Sequence, residues 1–282
     1  MVSLVNTLID YLYMKIVLDK SYLDAATKGD IENLCREYRV LMTDTLFYEL
    51  ITTTDESRQR CFAKLPKKEN PVVLIPNIGT LLRYENDNKR PTGKLYKHRI
   101  NIIFTFNSDL ADGSYIFDGD ISNNREKDIE EIKEETQGFV DRIESITEIF
   151  PNLAKCSAKE LSETCDSIKN DVVCKMGLVK SIYKSTLDHS NLPITVPSEN
   201  TGNKWAIYRW LQVQLMYAID LYKKYNGKIP DTVSEPFWND REHDLLDAHY
   251  IVLGVLCGAL ATKDKNIIEY YKLLHPKGVL LK

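Results

Sequence analysis

Five carboxylates stand where an α/β sheet could turn them to metal chemistry. Asp19 closes the apolar run Lys15-Ile-Val-Leu-Asp19, and Asp264 follows the run Ala259-Leu-Ala-Thr262. Glu49 lies one or two turns into the helix expected after a second strand. Asp244 and Asp247 are three residues apart, which on a helix gives them one face. Hard divalent cations such as magnesium take carboxylate oxygens, and open α/β sheets bind ligands outside the carboxyl ends of their strands. Like charges on one helix face cost stability unless a positive charge compensates them, so a bound cation is the chemistry this set suggests. Four of the five also have a plainer role. Asp19 could cap the next helix, Glu49 could be a solvated helical acid, and Asp244 or Asp247 could be first-turn acids favoured by the helix dipole.

Other motifs carry less. Asp118-Gly-Asp120-Ile-Ser122-Asn-Asn124 opens like a calcium loop, but Asn123 replaces the turn glycine and Ile129 stands where the bidentate glutamate belongs. Cys156, Cys165 and Cys174 recur every nine residues, a step that alternates helix faces, so they read as core or surface thiols. The stretch from Arg83 to Arg99 is the best local basic patch. Its Lys89, Arg90, Lys94, Lys97 and Arg99, with Tyr84 and Tyr96 interleaved, could track a nucleic-acid backbone and stack bases, or form a solvated loop.

The elements that must position these groups alternate at the two ends of the chain. A helix over Leu4 to Tyr13 precedes the strand ending at Asp19, and a helix opened by Gly29-Asp30 precedes a second strand, Arg39-Val-Leu-Met-Thr43. Asp44 reads as the N-cap of a helix from Thr45 to Thr53, and residues 72–76 as a third strand. Ile100 to Phe106 is β-like, though ambiguous. Apolar residues at three-four spacing predict helices over Glu126 to Phe150, 158–188 and Asn203 to Tyr225, the last apolar all round and so buried. Asp240 to Gly258 reads as a helix, followed by strand, helix and a last strand from Gly278 to Leu281, so both ends build one parallel sheet.

Taken in order, Leu18-Asp19, Phe47-Tyr-Glu49-Leu, His243-Asp244-Leu-Leu-Asp247-Ala and Ala261-Thr-Lys-Asp264-Lys resemble the acidic signature of PIN-domain nucleases. The resemblance implies a PIN-like (Rossmann-like) central parallel sheet flanked by helices, built from residues 15–80 and 239–282. A mainly α-helical insertion over 81–238 and an N-terminal helix over 1–14 complete the expected organisation. It implies hydrolysis of phosphodiester bonds, usually in RNA, with Mg2+ or Mn2+ as cofactor. Asp19, Asp247 and Asp264 would then be direct or water-mediated ligands, with Glu49 and Asp244 orienting water or a second metal. Such an endoribonuclease could act as a toxin or defence effector. A non-catalytic PIN-like scaffold that binds protein or RNA through the insertion, and a structure-specific DNA nuclease, are the alternatives.

Composition bounds these readings. The 282 residues suffice for a sizeable core, and 43% hydrophobic with 28% charged residues is ordinary for a globular chain. A net charge of -4 gives no global attraction to polyanions, so nucleic acid would have to meet a local basic patch. The six cysteines include no C-x-x-C pair, which suits reduced thiols in a cytoplasm. No signal peptide or membrane span is expected, since the longest apolar run, Tyr250 to Ala261, is short of the roughly 20 residues that cross a bilayer.

Overall fold

The structure is a computed structural model that describes residues 13–67, 71–101, 107–111, 119–189, 196–228 and 234–282. All but Tyr13 of the expected helix over residues 4–13, and most of the β-like run 100–106, lie outside the described residues. Along the chain come β1 (Lys15–Leu18), α1 (Lys20–Ala25), α2 (Lys28–Glu37), β2 (Arg39–Thr43), α3 (Asp44–Thr52), α4 (Asp55–Phe62), β3 (Val72–Ile75) and α5 (Ile78–Asn88). Then follow α6 (Gly119–Glu144), α7 (Ile146–Ile149), α8 (Leu161–Cys174), α9 (Met176–His189) and α10 (Ala206–Lys224). The chain ends with α11 (Glu235–Cys257), β4 (Ala259–Ala261), α12 (Lys265–Leu274) and β5 (Val279–Leu281). Among the described residues, no helix is long and apolar enough to cross a membrane.

The chain divides into two compact units. One comprises Met1–Asn77, Lys94–Arg125 and Leu253–Lys282, the other Ile78–Gly93 and Glu126–Val252. These limits differ from the sequence expectation in three places: residues 94–125 group with the sheet, and residues 78–80 and most of α11 group with the helices.

In the sheet unit, five parallel strands run in the order β3-β2-β1-β4-β5. The strand sequences are apolar without alternation because the inner strands are covered on both faces. Ile16, Val17 and Leu18 of β1 and Val40, Leu41 and Met42 of β2 are fully buried. Burying each such side chain contributes roughly 1.5–3 kcal/mol, enough for two adjacent strands to hold a desolvated carboxylate at their ends. Gly258 closes α11 with φ of 85°, a left-handed conformation that a side chain would strain, and its N–H donates to the Gly254 carbonyl at 2.8 Å. The chain then turns directly into β4.

Local caps differ from expectation in two helices. Thr43, not Asp44, caps α3, its hydroxyl accepting from the Leu46 N–H at 2.8 Å. Helix α2 starts at Lys28 with a reciprocal capping box between Thr27 and Asp30. Both caps are threonines in extended backbone, where the hydroxyl reaches the third residue of the helix.

The helical unit is built around α10, in which fourteen residues from Ala206 to Tyr222 are buried against α8, α5 and α9. The acidic helix expected from Glu126 begins earlier, at Gly119, and breaks at Ser145 before α7. Its apolar stripe is buried at Ile132, Phe139, Ile143, Ile146 and Phe150. The expected stretch 158–188 is two helices, separated at Lys175. Glu85 ties this unit together. Fully buried, it accepts from the N–H groups of Ala206 (2.8 Å) and Ile207 (2.9 Å) and from the N–H and hydroxyl of Thr92 (2.8 Å each). A carboxylate from a distant segment thus caps α10, which starts at an extended Trp205 that offers no side-chain cap.

Candidate active site

Strands β1 and β4 are neighbours, and their carboxyl ends carry Asp19 and Thr262. The Asp19 N–H donates to the Ala261 carbonyl at 3.0 Å, which fixes the register of the two strand exits. Asp19 is 2% exposed. Its Oδ2 accepts from the Ser21 hydroxyl and, at 2.6 Å, from the Thr262 hydroxyl. The two hydroxyl oxygens in turn accept backbone N–H groups: Ser21 Oγ from Lys263 (2.9 Å) and Asp264 (3.1 Å), and Thr262 Oγ1 from Asp264 (3.1 Å). Each hydroxyl spends its single hydrogen on Asp19 and its lone pairs on the turn that carries Asp264. Asp19 and Asp264 are therefore coupled through two shared hydroxyls.

Asp264 is half-buried and caps α12. Its Oδ1 accepts from the N–H groups of Asn266 (2.8 Å) and Ile267 (3.0 Å), and among the described residues its Oδ2 has no partner. Burial pushes the Asp19 carboxyl above the ordinary aspartate range, the hydrogen bonds from Ser21 and Thr262 pull it back, and nearby Asp264 raises it further. Glu49 lies on α3 of the same unit, with its side chain 12% exposed and its Oε1 3.4 Å from Nζ of Lys20, the residue after Asp19. Among the described residues, no three Asp, Glu, His or Cys side chains are arranged to hold a metal ion together.

Asp244 and Asp247 belong to the helical unit. Helix α11 begins at Glu235 rather than near Asp240, so both acids lie more than two turns inside it. A first-turn role at the helix dipole is thereby removed. Asp244 pairs with Arg241 at 2.9 Å, and Arg241 is 2% exposed with its guanidinium over the Phe237 ring. Burial raises the Asp244 carboxyl, and Arg241 and Lys224 oppose that shift. Asp244 is thus already compensated by a cation of its own helix. Asp247 is half-buried one turn further on.

The basic run does not fall in one unit. Lys89 and Arg90 belong to the helical unit, and Lys94, Lys97 and Arg99 to the sheet unit. All five are exposed. Tyr84 and Tyr96 already face cations, Arg90 at 5.5 Å and Lys15 at 4.8 Å from the respective ring centroids. The six cysteines form no disulfide.

Ser21, Lys20 and Arg241 escaped the sequence reading. The available signals were the Asp19-x-Ser21 and Thr262-x-Asp264 spacings, which place a hydroxyl two residues from each strand-end acid. Comparison of the chain with family models, with curated proteins and with solved structures found no match.

Proposed function

We propose that this chain is a metal-dependent nuclease of PIN-like architecture, hydrolysing phosphodiester bonds in RNA with Mg2+ or Mn2+. The observation that carries this reading is the pair Asp19 and Asp264 at the carboxyl ends of adjacent parallel strands, joined through Ser21 and Thr262. Burial makes the Asp19 charge costly in the protein alone, and a cation would remove that cost. Hard oxygen donors of this kind suit magnesium or manganese.

Asp19 and Asp264 are the residues that would hold the ion. Glu49 would orient water from α3, and Asp247 is the helical acid to which the resemblance assigns a ligand role. When bound, the ion would acidify a water molecule and neutralise charge on the phosphate. The chain's own hydroxyls hold Asp19 in one orientation, the backbone of α12 holds Asp264, and Lys20 holds Glu49. Such pre-organisation is what an in-line displacement at phosphorus requires. The test is incubation of the purified chain with end-labelled RNA and Mg2+ or Mn2+. Chelator-sensitive cleavage leaving 5′-phosphate and 3′-hydroxyl ends supports the proposal, and products with cyclic phosphate ends contradict it.

A second reading is a non-catalytic PIN-like scaffold. It is favoured by the lack, among the described residues, of three metal-ligating side chains in one group. RNA binding without cleavage in the same incubation would select it.

A further inference from the structure

The helical unit contains a cavity of about 290 Å³, near the lower end of small-molecule sites. Its walls include Ile207, Leu211, Trp210 and Tyr183, and one side is the face of α6 that carries Glu135, Gly138 and Arg142. These three residues follow at steps of three and four, so they line up on one helix face. Arg142 Nε is buried, and it has no hydrogen-bond partner among the described residues. Burial also lowers its tendency to hold its charge. Glu135 Oε2 is buried too, 3.1 Å from Nε2 of His249, whose ring stands edge to face with Trp210 at 5.1 Å. Between the two charges, a Cβ added at Gly138 would meet nothing within 4 Å. A glycine inside a helix is less stable than an alanine, so this exposed one leaves room at the expense of stability.

The ligand chemistry follows from the spacing. Seven residues of helix separate Glu135 and Arg142 by roughly 10 Å along the axis. A purely apolar molecule would leave Nε of the half-buried Arg142 without a hydrogen-bond partner. The cavity asks for an N–H donor edge at one end, a flat apolar body against Trp210, and an anion at the other end. We propose that the helical unit binds a nucleoside monophosphate, with the base edge on Glu135, the ring against Trp210 and the phosphate on Arg142. Guanine is preferred, because its ring N–H and exocyclic amine lie side by side and match the two oxygens of one carboxylate. The nucleotide could be free or the 5′ end of an RNA. The inference concerns binding alone and stands whether or not the chain cleaves RNA.

Isothermal titration of the full chain with GMP, AMP, inorganic phosphate and a 5′-phosphorylated guanosine-first trinucleotide tests it. GMP should bind at least about tenfold more tightly than AMP, and inorganic phosphate should give no heat. Arg142→Gln should weaken binding about tenfold or more. Gly138→Leu should abolish it while the melting temperature stays level or rises, since the variant gains helix propensity. Binding of the trinucleotide but not GMP supports the site and identifies an RNA end as its occupant, and the converse identifies a free nucleotide. Failure of both at millimolar concentration overturns the proposal, as does AMP binding equal to GMP or wild-type binding by Gly138→Leu.

Discussion

Replacing Asp19 by asparagine keeps the shape of a buried side chain and removes its charge, which separates a functional role from a structural one. The amide oxygen can accept the same Ser21 and Thr262 hydroxyls that Asp19 Oδ2 accepts now. Exchanging two charged hydrogen bonds of about 1.5–3 kcal/mol for two neutral ones of about 0.5–1.5 kcal/mol costs roughly 2–3 kcal/mol. Against this stands relief from burying a carboxylate, several kcal/mol per ion. The upward shift of the Asp19 carboxyl says which wins: desolvation outweighs the hydrogen bonds. Asp19→Asn should therefore be neutral to about 2 kcal/mol more stable than wild type in urea at neutral pH with chelator present. Added Mg2+ should reverse the order, since a ligand at a hundred times its Kd stabilises the wild type by about 2.7 kcal/mol and the variant by nothing. A variant that loses more than about 2 kcal/mol without metal, or responds to Mg2+ as the wild type does, would make Asp19 a structural residue rather than an ion ligand.

The same shift has a signature in pH. A carboxyl whose folded pKa lies above its unfolded value contributes most below the unfolded pKa, about 3.9, and that contribution is lost as pH rises through the folded pKa. The stability difference between Asp19→Asn and wild type, read from urea midpoints without metal, should grow from pH about 4 upward, and a flat difference would contradict the assignment. In the helical unit, Glu85→Ala strands four buried donors and should cost about 3–5 kcal/mol, with a loss below about 1 kcal/mol arguing against the cap it forms on α10. Arg241→Met leaves the half-buried Asp244 beside no cation of its own helix and should cost about 2–4 kcal/mol in urea, toward the lower end for a broken buried pair. The double variant with Asp244→Asn should recover most of that loss, and simple additivity would mean that the two residues do not act as a pair.

The sheet was legible because its signal is local. Ile16 to Leu18 and Val40 to Met42 are unbroken apolar runs, as strands covered on both faces require, and each ends at a polar residue where the chain leaves the core. The strand-end position of Asp19 and the turn carrying Asp264 were readable for the same reason. What joins them was not, because the Ser21 and Thr262 hydroxyls are 241 residues apart along the chain and only 3.2 Å apart in space. Glu85 and Ala206 meet across 121 residues, so the cap on α10 leaves no trace near its start. Spacing alone gives Asp244 and Asp247 one face, and only the resemblance ranks Asp247 as the ligand. Arg241, one turn earlier and buried, distinguishes them by pairing with Asp244. The basic run reads as one patch along the chain, and its residues divide between the two units after Gly93.

The proposed function rests on Asp19 and Asp264 holding one ion together. Its most direct test is a side-by-side assay of wild type, Asp19→Ala and Asp264→Ala on labelled RNA and DNA with Mg2+ or Mn2+, each variant first shown to be folded. Wild type should cleave RNA in a metal-dependent way, and each variant should lose at least about a hundredfold, the scale of removing one preorganised electrostatic group. Equal inertness of all three proteins without metal binding, or equal cleavage by all three, would contradict it.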